Sequence, residues 1–339
     1  MIARVAGRHL ARVAGYMSMP VLLAPLLGPV VAGMILKYAS WHWLFYINLP
    51  IGILAVTLAG FLLPGDETAV QKRPFDFLGF LLISPGLASL LYGLDHASHR
   101  EGILALLSGL ILLGGFVRYA IRKKSAALID LRLFHNRIFS TATTTQFLSN
   151  GATYAGQMLV PLYLITGCGF SAAKAGWMLA PMGLGMMCVY PAMGFLTERF
   201  GYRAVSTSGT ILSILGTLPF LWMIQNRFSP VLIAVSLFAR GAGQGAIGLP
   251  SLSAGYASVP REKLALATTA ANIVQRLGGP VATTGMAIVM SFSMTHFPAS
   301  GARAFLIAFL ALIGFQLLLL GSASRLPVRI YQSTPDGRA

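Results

Sequence analysis

Acidic side chains are almost missing from this chain. Nine Asp and Glu stand among 339 residues, and charged residues of both signs make up only 10% of the sequence. A soluble domain carries about 25%. A water-facing surface cannot be covered with so little charge, which excludes a soluble globular protein of this length. Cysteine is equally scarce. Cys168 and Cys188 are the only two, with no disulfide framework and no metal-ligand spacing between them. Both read as small apolar packing residues. His96 and His99 have i, i+3 spacing, but a metal would need further ligands and no metal site is expected. No Ser-His-Asp set, P-loop or glycine-rich dinucleotide fingerprint stands out, so an enzyme is not expected either.

What is present is apolar sequence in long runs. Hydrophobic residues make up 56% of the chain, and the mean hydropathy is +0.73. Ten stretches approach the roughly 20 residues that a 30 Å hydrocarbon slab requires. They fall near residues 17–36, 44–63, 77–94, 102–121, 138–165, 174–196, 204–224, 231–256, 266–293 and 303–323. The pattern predicts an all-α integral membrane protein with about ten transmembrane helices. The first stretch holds three prolines and no small-residue cleavage site, so it does not read as a cleavable signal peptide.

A net charge of +16 would suggest nucleic acid in a soluble protein. Here the distribution gives a different answer. Eighteen of the 25 lysines and arginines fall on one set of alternate loops, and five fall on the other set. By the positive-inside rule this places both termini in the cytoplasm. The basic charge is topology, and no nucleic-acid partner is expected.

The chain divides into blocks. Residues 1–63 hold two predicted helices. Residues 64–130 hold a polar linker and a second helix pair. Residues 131–323 hold six helices with short loops, and 324–339 form a polar, loosely ordered tail. Prolines such as Pro161, Pro250 and Pro280 lie inside predicted helices. A bundle in lipid tolerates them because neighbouring helices satisfy the freed carbonyls. Small residues spaced by four, such as Gly151 with Ala155 and Gly241 with Gly245, let helices approach closely.

The remaining two arginines, Arg240 and Arg276, lie within predicted spans. An intramembrane Arg costs several kcal/mol unless it reaches water or a partner. Arg240, in the run Arg240-Gly-Ala-Gly243-Gln244-Gly245, is either a cavity or gating residue or a structural one that snorkels or pairs with carbonyls. Arg276, beside Gln275, has the same two readings. Two polar stripes accompany them. Gln146, Asn150, Thr153 or Tyr154, and Gln157 share one helix face; Thr268, Asn272, Gln275, Gly279 and Thr283 share another. Such faces avoid lipid. They either line a cavity for bulky amphipathic compounds or hydrogen-bond between helices.

Several motifs, taken in order, resemble one family. Ala24-Pro25 followed by Gly28-Pro29 and Ala32-Gly33 resembles the antiporter motif of the major facilitator superfamily. Ser40-Trp-His-Trp43 through Asn48-Leu-Pro50-Ile-Gly52 is similar to the junction of the fifth and sixth helices in its fourteen-helix drug:proton antiporter branch, the EmrB/QacA type. His42 departs from that pattern, which usually has Arg there. Arg73-Pro-Phe-Asp76-Phe-Leu-Gly79 resembles the branch's lead-in to two extra central helices. Leu128-Ile-Asp130-Leu-Arg132 through Ser140 resembles the start of its second half. Gly194-Phe-Leu-Thr-Glu198-Arg199-Phe-Gly201-Tyr-Arg203 resembles the loop motif between the second and third helices of a six-helix half.

The resemblance covers essentially the whole chain and implies a partial major facilitator fold lacking the family's first four helices. It implies proton-coupled export of amphipathic small molecules by alternating access, in a bacterial cytoplasmic membrane, with no cofactor beyond the proton gradient. A periplasmic adaptor protein partners some relatives. The resemblance makes Glu198 and Arg199 part of a cytoplasmic charge latch, and Arg240 with Gln244 a symmetry copy of a fourth-helix motif. All nine acids lie in loops or at the ends of predicted spans, so no carboxylate offers an intramembrane proton relay. The chain alone is therefore expected to be transport-incompetent. The alternative is a non-transporting membrane remnant, or a subunit completed by a separate four-helix chain.

Overall fold

The computed structural model describes residues 35, 38–40, 42–62, 76–96, 99–123, 127–260, 263–296 and 301–329. All regular structure among them is helical, as the hydropathy pattern predicts. The described residues divide into two units, one before Asp76 and one from Asp76 onward. In the first, α1 (Trp43–Tyr46) turns into α2 (Asn48–Leu62). The Asn48 side chain donates to the Leu44 carbonyl, and the Trp43 ring meets Tyr46 edge-on. Gly28, Pro29, Ala32 and Gly33 lie outside the described residues.

The second unit opens with a hairpin, α3 (Phe77–Asp95) and α4 (Arg100–Lys123). A 3-10 turn, Leu131–His135, leads to α5 (Arg137–Leu162), which runs into a π-helical turn, Tyr163–Gly167. Then come α6 (Ala172–Met178), α7 (Ala180–Val189), α8 (Met193–Leu215), α9 (Leu218–Gln225), α10 (Pro230–Ala257), α11 (Leu264–His296) and α12 (Gly301–Ala323). Pro181 and Pro219 stand in the first turns of α7 and α9, where a missing N–H costs nothing and the fixed φ favours a fresh helix start. This is why the stretches expected at 174–196 and 204–224 are assembled from short helices.

Seven helical stretches among the described residues are long and apolar enough to cross a membrane. The stretch expected at 17–36 lies outside them. Those expected at 174–196 and 204–224 count as one of the seven, Lys174–Gln225, which is broken at Gly201. Helix α5 is not among the seven, although its length spans a bilayer. Its threonines, Gln146 and Ser149 lower its hydropathy, and they can do so because α5 is packed against α10, α11 and α12 rather than against lipid. Helix α10 is likewise largely buried, and its Gly241 and Gly243 press against the Met182 and Gly209 carbonyls. Any side chain there would overlap backbone.

One carboxylate organises the start of this unit. Asp76 is 5% exposed and caps α3 by accepting from Gly79 N. It also accepts from the Tyr119 hydroxyl, Lys123 Nζ and Leu128 N. These bonds tie both helices of the hairpin to the segment that leads into α5. Burial by itself would raise the Asp76 carboxyl, but the bonds from Lys123, Tyr119, Leu128 and Gly79 outweigh it and hold it at about 2. Downstream, Asn136 caps α5 through Ile138 N and Phe139 N, and its amide donates to the Ser258 carbonyl at the end of α10.

Because the folded carboxyl lies below its unfolded value, its stabilisation is present above about pH 4 and is lost as pH falls towards 2. Lys123 is 37% exposed, so solvent screens part of the pair. Asp76→Ala is expected to lower stability by about 1–2 kcal/mol at pH 7 and by clearly less near pH 2. Thermal unfolding of the purified protein in detergent at both pH values checks this.

Candidate functional site

The polar residues of α5, α10 and α11 divide into a buried set and a surface set. Arg240 belongs to the first. It is 0% exposed, and its Nε, Nη1 and Nη2 have no hydrogen-bond partner among the described residues. Its aliphatic stem lies where Gly216 has no side chain. Its guanidinium fills the space beside Gly156 of α5, where a Cβ would overlap Nη2. The two glycines thus form a slot between α5, α10 and the end of α8. Gln244, one turn further along α10, is also buried, with both amide atoms unpartnered.

In this conformation Arg240 neither snorkels to a surface nor pairs with carbonyls, the two structural alternatives that the sequence left open. Nor does it line an open cavity. A charge in that position is costly unless a partner or water reaches it, and other polar groups lie in the same bundle. Gln316 of α12 donates to the Ser213 and Thr217 hydroxyls of α8, while its Oε1 is unpartnered, as is Ser206 Oγ. Gln316 carried no motif and no stripe, and the sequence reading missed it. Its position as the lone amide in an apolar helix was the available signal.

Gln146 is 4% exposed, and its Nε2 donates to the Gly248 carbonyl of α10. It acts as interhelical glue. Asn150, Tyr154 and Gln157, from the same predicted stripe, lie progressively outward; Tyr154 is 49% exposed and Gln157 is exposed. The Tyr154 ring and Asn150 Oδ1 face Gly279 of α11. On α11, Asn272 is exposed and donates to the Thr268 carbonyl, Gln275 is half-buried and Arg276 is exposed. The packing of α5 on α11 therefore joins the two predicted stripes into one polar surface.

The loop motif lies at the end of the bundle where α5 begins. Gly201 adopts φ +84° within α8, a left-handed conformation open to glycine at little cost. It leaves room for the Val328 carbonyl, which a Cβ would overlap. Tyr202 N donates to Val328 O, Arg203 Nε to Leu326 O and an Arg329 Nη2 to Arg199 O. Residues 324–329, expected as part of a loose tail, are thus clasped against the motif, with the Leu326 side chain fully buried beside Ala142 and Ala254. Gly194, Glu198 and Arg199 are exposed. Arg199 stands over the Phe195 and Phe200 rings, and no ion pair among the described residues involves Glu198.

Helices long and apolar enough to cross a membrane, a basic residue buried among them and polar helix faces define a polytopic membrane protein. The sequence matches the Major Facilitator Superfamily over residues 1–283, and the chain belongs to that family. It is 30% identical over 305 residues to a Multidrug resistance protein B homolog of Mycobacterium tuberculosis, covering 87% of this chain and 56% of that protein. It is 37% identical over 224 residues to a Putative multidrug resistance protein MdtD of Pectobacterium atrosepticum, covering 62% of this chain and 47% of that one. The chain spans about half the length of the curated relatives it matches.

The Arg240 slot makes a stability prediction. Arg240→Met, which removes the charge and keeps the length, is expected to leave thermal stability unchanged or raise it by about 1–4 kcal/mol. Gly156→Ala is expected to lower it by about 1–3 kcal/mol, and the pair of substitutions together to recover most of that loss. A double-mutant cycle on unfolding temperature reads the coupling.

Proposed function

We propose that these helices work in an exporter of amphipathic small molecules of the fourteen-helix drug:proton antiporter type, in a bacterial cytoplasmic membrane with both termini inside. The family membership and the names of the relatives support multidrug export. The observation that carries the reading is Arg240. A guanidinium fully buried with no hydrogen-bond partner among the described residues disfavours the conformation that holds it. In a carrier that alternates between two states, such a group gains a partner or water when the bundles rock, and so helps drive the return.

In this reading the joined stripe of Asn150, Tyr154, Gln157, Asn272, Gln275 and Arg276 faces the substrate path, where amides, hydroxyls and an aromatic ring suit amphipathic compounds. The segment Gly28, Pro29, Ala32 and Gly33 supplies the antiporter motif. Glu198 and Arg199, with the clasp at Gly201 and Arg203, hold the cytoplasmic end in one access state. The proton gradient is the energy source. Among the described residues Asp76, Glu101 and Asp130 stand at helix ends or caps, and Glu198 is exposed three residues before the break at Gly201; the resemblance puts the coupling acid in the family's first helix. A periplasmic adaptor remains a candidate partner on the strength of the resemblance alone.

The test is dye export from an efflux-deficient bacterium carrying either this chain or a fusion that places the first four helices of the Mycobacterium tuberculosis relative before it. Ethidium efflux that collapses with a protonophore is expected from the fusion and not from the 339-residue chain. Within the fusion, Arg240→Met is expected to cut the efflux rate by about tenfold or more at unchanged protein level. Glu198→Gln is expected to slow cycling while substrate binding persists. Export by the unfused chain, or full-rate export by the Arg240→Met fusion, would overturn the reading.

A further inference from the structure

The end of the second unit opposite the clasp holds a cavity of about 250 Å³. It lies where α5, α9 and α12 converge, and its walls include Tyr163, Cys168, Phe170, Asn226, Phe228 and Phe305. Its aromatic wall is closely packed. Tyr163 is buried and meets Phe305, Phe309 and Phe220 edge-on at 5.4, 6.0 and 6.3 Å, and Phe170 meets Phe228 edge-on at 4.9 Å. The π-helical turn shapes the opening. Cys168 N bonds back to Tyr163 O, Phe170 N bonds to Leu164 O, and Gly169 turns with φ +72°. Such turns recur at functional sites because they re-aim side chains out of the helical register.

Three cations neighbour the cavity's lining residues, one in space and two in sequence. Lys174 Nζ stands 4.2 Å above the Phe170 ring. Arg227 lies between the lining residues Asn226 and Phe228, and Arg303 follows the lining residue Ala302. All three cations are exposed. They are three of only five lysines and arginines on this set of alternate loops, and no acid lines the cavity. Its volume is below the 300–1,000 Å³ usual for drug-sized ligands and suits a molecule of one or two rings. We infer that this cavity is a binding site for a compact aromatic carboxylate. The ring seats edge-on against Tyr163, Phe228 and Phe305, and the carboxylate stays at the rim with Lys174, Arg227 and Arg303. The inference is independent of the export reading, since it concerns binding to the purified chain.

The two cysteines make the test internal. Cys168 borders the cavity, whereas Cys188 is exposed on α7. N-ethylmaleimide alkylation of both is followed by mass spectrometry on the purified full chain in detergent. At about ten times its Kd, 1-naphthoate is expected to slow Cys168 labelling roughly tenfold and to leave Cys188 unchanged. Phe228→Ala should weaken this protection about three- to tenfold. Lys174→Gln should weaken it for naphthoate but not for 1-naphthylmethylammonium, which should protect poorly in the unsubstituted protein. An unfolding temperature within a few degrees of the unsubstituted protein certifies that each variant is folded. Equal protection of both cysteines, no protection of Cys168, or protection by the ammonium compound as strong as by naphthoate would overturn the assignment.

Discussion

Helix α10 can sit at the centre of its unit only because its glycines let other backbones touch it. Gly241 lies against the Met182 carbonyl and Gly243 against that of Gly209, at separations that admit no side chain. Lipid offers no hydrophobic drive for helices to associate, so close van der Waals approach has to supply it. That approach has a consequence one residue earlier. Arg240 is carried to the interior with the helix that bears it and is sealed there by α5 and by the end of α8. The packing that stabilises the bundle and the burial that destabilises the guanidinium have a single cause.

Around this centre the unit is tied at its two ends by different means. At the end where α5 begins, polar bonds dominate. Asp76 gathers α3, α4 and the connector; Asn136 bridges α5 to the end of α10; and the segment after α12 lies across the loop at Gly201. At the other end the contacts are aromatic, with Tyr163, Phe220, Phe305 and Phe309 packed ring against ring and a cavity left between α5, α9 and α12. One end is held by directional bonds that resist sliding, and the other by apolar contacts that can repack. This asymmetry is compatible with a bundle that opens more readily at one face than at the other.

Much of the fold was legible in the residues because the bilayer leaves few choices. Runs of apolar sequence have to be helices when no water is present to satisfy the backbone, and the alternate loops declare their side by their charge. Helix α5 shows where this reasoning strains. Its hydropathy alone does not mark it as a span, and its polar residues are tolerated because neighbouring helices, not lipid, surround it. The candidate site was legible in part. The polar stripes of α5 and α11 stood out by their spacing, but their division could not be read from spacing. Gln146 is interhelical glue whereas Tyr154 and Gln157 are surface, since a stripe about three turns long curves from an interface to an open face. Gln316 and the role of residues 324–329 were not legible, because their partners lie roughly a hundred residues or more away.

The sequence by itself determined that this is a helical membrane protein, roughly where most of the described helices run, and that Arg240 is an anomaly in an apolar helix. Those properties follow from transfer free energies and local periodicity, which each segment carries with it. Only the tertiary structure decided that Arg240 is buried with no hydrogen-bond partner among the described residues, that Asp76 takes four donors, and that a group of aromatic rings lines one cavity. Each depends on distances between segments remote in the chain, and those distances are fixed by which small residues allow which helices to meet.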